Sequence, residues 1–194
     1  MKRNFLNLII LLSVVFSLSS CGYNTMVDLE VEVESKWAQV ENQYQRRADL
    51  IPNIVNTVKG EANFEKEVLT SVIEARASAT QVKIDANNLT PDKIEQFEAA
   101  QNNLSSALSR LLMTVESYPQ LKANAAFADL RAQLEGTENR IAVARMDFNE
   151  AVSAYNKTIK RFPNNLFAGM FGFESKGFFK AKPGADTTPE VKFE

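Results

Sequence analysis

The chain has 194 residues, 45% of them hydrophobic, with one cysteine, no histidine and a formal charge of −2. That composition fits one helix-rich domain with a real core. It excludes intrachain disulfides, thiolate or histidine zinc sites, imidazole triads and Glu-x-x-His di-iron centres, so no cofactor is expected.

Lys2 and Arg3 precede an apolar run from Phe5 to Phe16, broken by Asn7 and Ser13, and Leu18-Ser19-Ser20-Cys21 follows. The run falls short of the roughly 20 residues that span a bilayer, so it reads as a secretion signal. The tetrapeptide resembles a bacterial lipobox: small residues admit the peptidase, and the thiol takes a diacylglyceryl group. Residues 1–20 are then a signal peptide, and Cys21 becomes the lipidated first residue of the mature chain, bearing acyl chains such as palmitate. An uncleaved anchor helix is the alternative. Each buried methylene contributes about 0.8 kcal/mol, so several acyl chains hold a protein firmly. Either way the protein is membrane-anchored in a bacterial cell envelope, facing the periplasm or exterior. Gly22 stands where an aspartate retains some lipoproteins at the inner membrane, which favours the outer one.

From Tyr23 a long helical pattern begins, with Met26, Val33, Trp37, Val40, Tyr44, Ile51, Ile54 and Val58 advancing in steps of three, four or seven, interrupted only by Glu30 and Arg47. Pro52 inside it predicts a kink or break, Gly60 a stop, and Asn63 a cap for a second helix from Phe64 to Val82. Thr90-Pro91-Asp92 restarts the pattern, and a third helix runs until Pro119.

A fourth helix starts near Asn124. Its Phe127, Leu134, Ile141, Phe148, Tyr155 and Phe162 fall at strict seven-residue intervals, which favours packing on another long helix in a gentle left-handed supercoil. The expected fold is all-α: an elongated, antiparallel up-down-up-down four-helix bundle over residues 21–162 with long first and last helices. At about 1.5 Å per residue those two outreach the middle pair, and their ends near Cys21 and Phe162 should project as a two-helix stalk at the membrane. Residues 163–194 read as an aromatic-rich irregular tail that either packs back on the bundle or lies on the membrane surface.

Motifs for chemistry are few. Gly172 to Gly177 has the opening spacing of a phosphate loop, but Phe178 replaces the lysine and no strand precedes it. Tyr118 and Lys122 stand four apart with no dinucleotide fold around them. Basic and acidic residues are interspersed without a cationic strip, so no nucleic acid is expected as a partner. One polar grouping stands out: Arg46, Arg47 and Asp49, with Arg47 on the apolar seam. An antiparallel register pairing Trp37 with Phe148 and Tyr44 with Ile141 also sets Arg47 against Glu138, near Arg140. An ion pair there would fix register more than it adds stability; a ligand site is the other reading. Asn149 and Asn156, one heptad apart, are either a solvated flank or a polar register device.

Tyr23-Asn24, Trp37, Arg46 through Asn53, Val58-Lys59-Gly60, Glu74-Ala75-Arg76, Glu116 through Pro119, Leu121-Lys122-Ala123, Glu135 through Ile141, Arg145, Tyr155-Asn156 and Arg161-Phe162-Pro163 together resemble the LemA family in order and spacing, over essentially Tyr23 to Phe193. The resemblance implies a long helical bundle on the bacterial envelope with no agreed enzymatic activity. Members commonly keep an amino-terminal membrane helix, and this chain departs from them in its signal and Cys21. Genes of this kind often lie near envelope proteases, which suggests adaptor work.

Two functions follow as expectations. One is a non-enzymatic envelope lipoprotein acting as a helical scaffold or adaptor with an envelope protein partner. The other is a ligand- or peptide-binding regulator of envelope proteolysis or stress signalling, using Arg46, Arg47, Asp49, Glu138 and Arg140.

Overall fold

The computed structural model describes residues 2–61 and 63–180, with side chains from residue 22 onward. It is all-helical: α1 (Lys2–Lys59), α2 (Lys66–Gln81), α3 (Pro91–Val115), α4 (Pro119–Lys122), α5 (Ala125–Lys160) and α6 (Asn164–Phe171), with no strand among the described residues. Among residues described with their side chains, no helix is long and apolar enough to cross a membrane. The run from Phe5 to Phe16 and the side chain of Cys21 lie outside that set.

The helical pattern read from Tyr23 is the later part of a longer element, because α1 runs without interruption from Lys2 to Lys59. Pro52 does not break it. Proline has no N–H to donate to the carbonyl of Ala48, which is buried. Arg76 of α2 supplies the donor instead, its Nε reaching the Ala48 oxygen at 2.8 Å. Gly60 follows the last residue of α1 as expected, but Asn63 does not cap α2. That helix starts two residues later than expected, after Glu65, and the Asn63 carbonyl accepts from the Tyr118 hydroxyl at 3.0 Å. Thr90 and Pro91 open α3, and the Asn124 side chain caps α5 by accepting from the amide of Phe127. Between them the single turn of α4 seats Leu121 in the core.

α5 packs along α1, and α2 packs along α3. The first pair is antiparallel in the expected register: the rings of Trp37 and Phe148 lie 5.5 Å apart, and Lys36 reaches Asp147 at 3.6 Å. The buried side chains divide into two clusters. One joins Ile51, Ile54 and Val58 to α2, the carboxyl half of α3, Leu121, Phe127 and Leu134. The other joins Met26, Val33, Trp37 and Tyr44 to Phe148, Tyr155 and Ile159, and draws in Ile84, Leu89, Ala168 and Phe179.

That second cluster corrects two expectations. From Met26 onward, the part of α1 that follows Cys21 and the carboxyl end of α5 do not form a bare two-helix stalk. Two helices cannot between them bury Met26, Val33, Trp37, Phe148 and Tyr155, so the loop before α3, α6 and the segment after it close over the seam. Nor is the tail irregular at its start: residues 164–171 form α6, which ends at Gly172 in the left-handed conformation (φ 78°) that glycine tolerates best.

Candidate functional site

Between the two apolar clusters lies a polar layer centred on Arg47, whose side chain is 1% exposed. Its Nη1 donates to Glu138 Oε1 at 2.6 Å and to Ser105 Oγ at 2.8 Å. Its Nη2 donates to Gln101 Oε1 at 2.6 Å and to the Gln101 carbonyl at 3.3 Å, and the guanidinium sits 5.0 Å from the centre of the Tyr44 ring. Gln101 in turn donates to the Ala79 carbonyl, which ties α2 into the same layer. A guanidinium suits this position because its planar fork spreads donors over two terminal nitrogens that reach acceptors in different directions, whereas a lysine ammonium gathers its three donors at one point. Burial pushes the Tyr44 phenol up from its ordinary range, and the nearby Arg145 and Arg47 charges pull against that shift.

The other residues singled out with Arg47 do not join it. Arg46 and Arg140 are exposed on the outer surface, and exposed Asp49 accepts from Gln45 one turn earlier at 2.7 Å. Gln101 and Ser105 are members of the layer that the sequence reading missed. Gln101 had a signal: it lies in the apolar series Phe97, Leu104, Leu108 of α3, a polar exception of the same kind as Arg47 in α1.

A second polar set holds residues 173–180, which leave α6 and run back along α5. Asn156 Nδ2 donates to the Lys176 carbonyl and its Oδ1 accepts from the Lys176 amide, both at 2.9 Å. Asn149 does the same to Phe179, again at 2.9 Å for both bonds. Each carboxamide thus pairs with one residue's backbone like a rung of a sheet. The spacing explains the match. Seven helical residues rise about 10.5 Å, and three extended residues span about 10 Å, so two asparagines one heptad apart meet residues 176 and 179. Asn149 and Asn156 are therefore neither a solvated flank nor a device for helix register; they clamp the carboxyl-terminal segment.

The clamped side chains enter built pockets. Lys176, 7% exposed, pairs with Glu30 at 2.7 Å and lies 5.6 Å from the Tyr155 ring centre. Burial, then the Glu30 charge, pushes the Tyr155 phenol far up. Phe179 packs among Trp37, Phe97 and Phe148, and the Arg145 guanidinium covers its ring at 4.6 Å while pairing with Glu98. Gly177 lies against the turn into α3, where a Cβ would meet Pro91 Cα at 2.7 Å. Both interruptions of the α1 seam, Glu30 and Arg47, thus have buried partners.

A cleft of about 410 Å³ opens beside the Arg47 layer, lined by Tyr44, Arg47, Asn102, Glu138, Arg145 and Lys180 among others. Each of its cations already has a carboxylate: Arg47 has Glu138, Arg145 has Glu98, and Lys180 has Glu95. Among the described residues no group of three or more His, Cys, Asp or Glu side chains could hold a metal.

The LemA family model matches residues 36–193. The chain is also similar to two magnetosome proteins, MamQ 1 and MamQ 2, of Paramagnetospirillum magneticum, each 28% identical over 87% of this chain and 70% of theirs. It is similar to the magnetosome protein MamQ of Magnetospirillum gryphiswaldense at 26% identity over the same shares. Protein LemA of Metamycoplasma hominis is 22% identical over 81% of this chain and 68% of its own length.

Proposed function

Since the chain belongs to the LemA family, we propose that it is a non-enzymatic envelope lipoprotein, held to a bacterial membrane by lipid on Cys21, whose helical rod acts as a scaffold or adaptor on that surface. In this reading α1, α2, α3 and α5 form an up-down-up-down bundle, and an outer-membrane placement is preferred. The observation that carries it is the use made of the buried polar groups. Arg47, Glu98, Asn156 and Lys176 are spent on internal partners that tie α1, α3, α5 and the carboxyl-terminal segment into one stiff body. With residues 1–20 removed, the part of α1 that remains, from residue 21 to Lys59, extends roughly 58 Å at about 1.5 Å per residue. A relay of that length suits holding a partner at a distance from a bilayer.

Site-directed photocrosslinking tests it. With the photoreactive group at Met113, Val143 or Met146, all exposed, a scaffold gives one discrete envelope protein from a contiguous set of positions. Adducts only to lipid or to the chain itself contradict it.

The cleft beside Arg47 favours a second reading, a ligand- or peptide-binding regulator of envelope proteolysis or stress signalling. A ligand bound only by the folded state raises the melting temperature by mass action. If peptides and peptidoglycan fragments leave that temperature unmoved, the second reading fails.

A further inference from the structure

We infer that α6 and the turn leading into it are a lipid-contact face, lying on the headgroup region of the same bilayer that carries the anchor. The inference rests on the membrane-anchored reading above and adds to it a second, non-covalent contact. Five of the eleven large exposed apolar side chains of the described residues crowd into this one end, which sets it apart from the rest of the surface. Leu166 and Met170, one helical turn apart, are 60% and 75% exposed; Phe171 beside them is 55% and Phe162 just before is 80% exposed. The opposite side of the helix faces inward through Ala168, which is buried in the membrane-end cluster. A soluble surface rarely gathers so many apolar groups without a partner.

The place of this helix in the fold says what that partner is. Asn164 lies so close to Gly22 that a Cβ there would overlap its side-chain oxygen, and the Phe171 ring meets Tyr23 edge-on at 5.0 Å. The exposed face is therefore fixed beside residue 22, the immediate neighbour of the lipid-bearing Cys21 of that reading. An anchor there holds the face permanently near lipid, so the contact forms at high effective concentration. Exposed Lys157, Lys160 and Arg161 border it at the end of α5, and these suit anionic headgroups. A short helix with aromatic and aliphatic residues outward and basic residues at its margin fits the interface rather than the bilayer interior. Phe178, 45% exposed, belongs to the clamped segment and is not needed for the contact.

The test uses the full chain purified from its own envelope and reconstituted into vesicles of phosphatidylcholine and phosphatidylglycerol. Met170→Trp reports on the face, and Met113→Trp, on α3, is the control. The contribution of buried Trp37 is subtracted using the parent chain. The expected result is that emission from the indole introduced on α6 shifts to the blue and is quenched by lipid brominated near the headgroup end of its acyl chains, while the indole introduced on α3 stays open to aqueous iodide. Vesicles that float with the protein while the α6 indole remains open to iodide overturn the contact and leave the anchor standing. A chain that does not float overturns both. An α6 indole that is shielded before lipid is added, or shielded without bromine quenching as protein concentration rises, assigns the face to the chain itself or to a second copy, and overturns the lipid assignment.

Discussion

Replacing Arg47 by alanine should destabilise the protein by about 3 kcal/mol, whereas replacing Arg47 by methionine together with Gln101 by leucine should leave it within about 1 kcal/mol of the parent. Breaking a buried ion pair costs about 3–5 kcal/mol when the surviving charge is trapped. Here the survivor, Glu138, has a side chain 38% exposed and can rehydrate, which puts the loss at the lower end. What remains is the emptied volume and the stranding of Gln101 and Ser105, which lose their donor. The double substitution removes the stranded carboxamide with the guanidinium and joins the two apolar clusters, an exchange that is often neutral or stabilising. Trp37 is the only tryptophan and is fully buried, so urea unfolding followed by its fluorescence reads both variants. At about 2–4 °C per kcal/mol for a domain of this size, the alanine variant melts roughly 6–12 °C lower. If the methionine–leucine variant is as unstable as the alanine variant, the polar layer is not a replaceable register element. If the double variant is stable but fails to support the protein's role in the cell, the layer serves a ligand.

Asn156→Ala removes two hydrogen bonds and strands the buried amide and carbonyl of Lys176, a loss of about 2–3 kcal/mol. Asn156→Asp keeps the acceptor but not the donor, so amide exchange at Lys176 should rise in both variants, and more in the alanine one. Arg76→Ala should cost about 1–2 kcal/mol by leaving the Ala48 carbonyl without a donor, and less in a Pro52→Ala background, where residue 52 regains its N–H. A double-mutant cycle with no coupling contradicts that account. The hydrogen bond and charge of Lys180 hold the Glu95 carboxyl below its usual value. A depressed folded value means stability that is present above the unfolded carboxylate pKa and lost as pH falls through the folded one. The parent should therefore melt slightly above Glu95→Gln at neutral pH and no higher in acid; a gap unchanged by acid contradicts the pairing.

Helix register was legible because it is written in side chains of both partners. The heptads of α1 and α5 each show their seam, and aligning them places Arg47 against Glu138. The role of Asn149 and Asn156 was not legible, because their partners are backbone groups of residues 176 and 179, and a peptide group leaves no mark in sequence. For the same reason Pro52 suggested a break: the donor that replaces its missing bond comes from Arg76 in another helix. α6 is only eight residues long, too short to display a period, and Phe167, Met170 and Phe171 give it apolar character on more than one side. Of the polar grouping, only Arg47 and Glu138 meet, since Arg46, Asp49 and Arg140 flank the seam rather than occupy it.

The proposed attachment at Cys21 is open to one direct measurement, the intact mass and amino-terminal peptide of the chain extracted from the membranes of its native cells. A lipoprotein begins at Cys21, lacks residues 1–20 and carries diacylglyceryl mass on that residue, and Cys21→Ser leaves the precursor uncleaved. A mature chain that retains Lys2 to Ser20 with an unmodified Cys21 contradicts the lipid anchor and leaves the amino-terminal helix as the attachment.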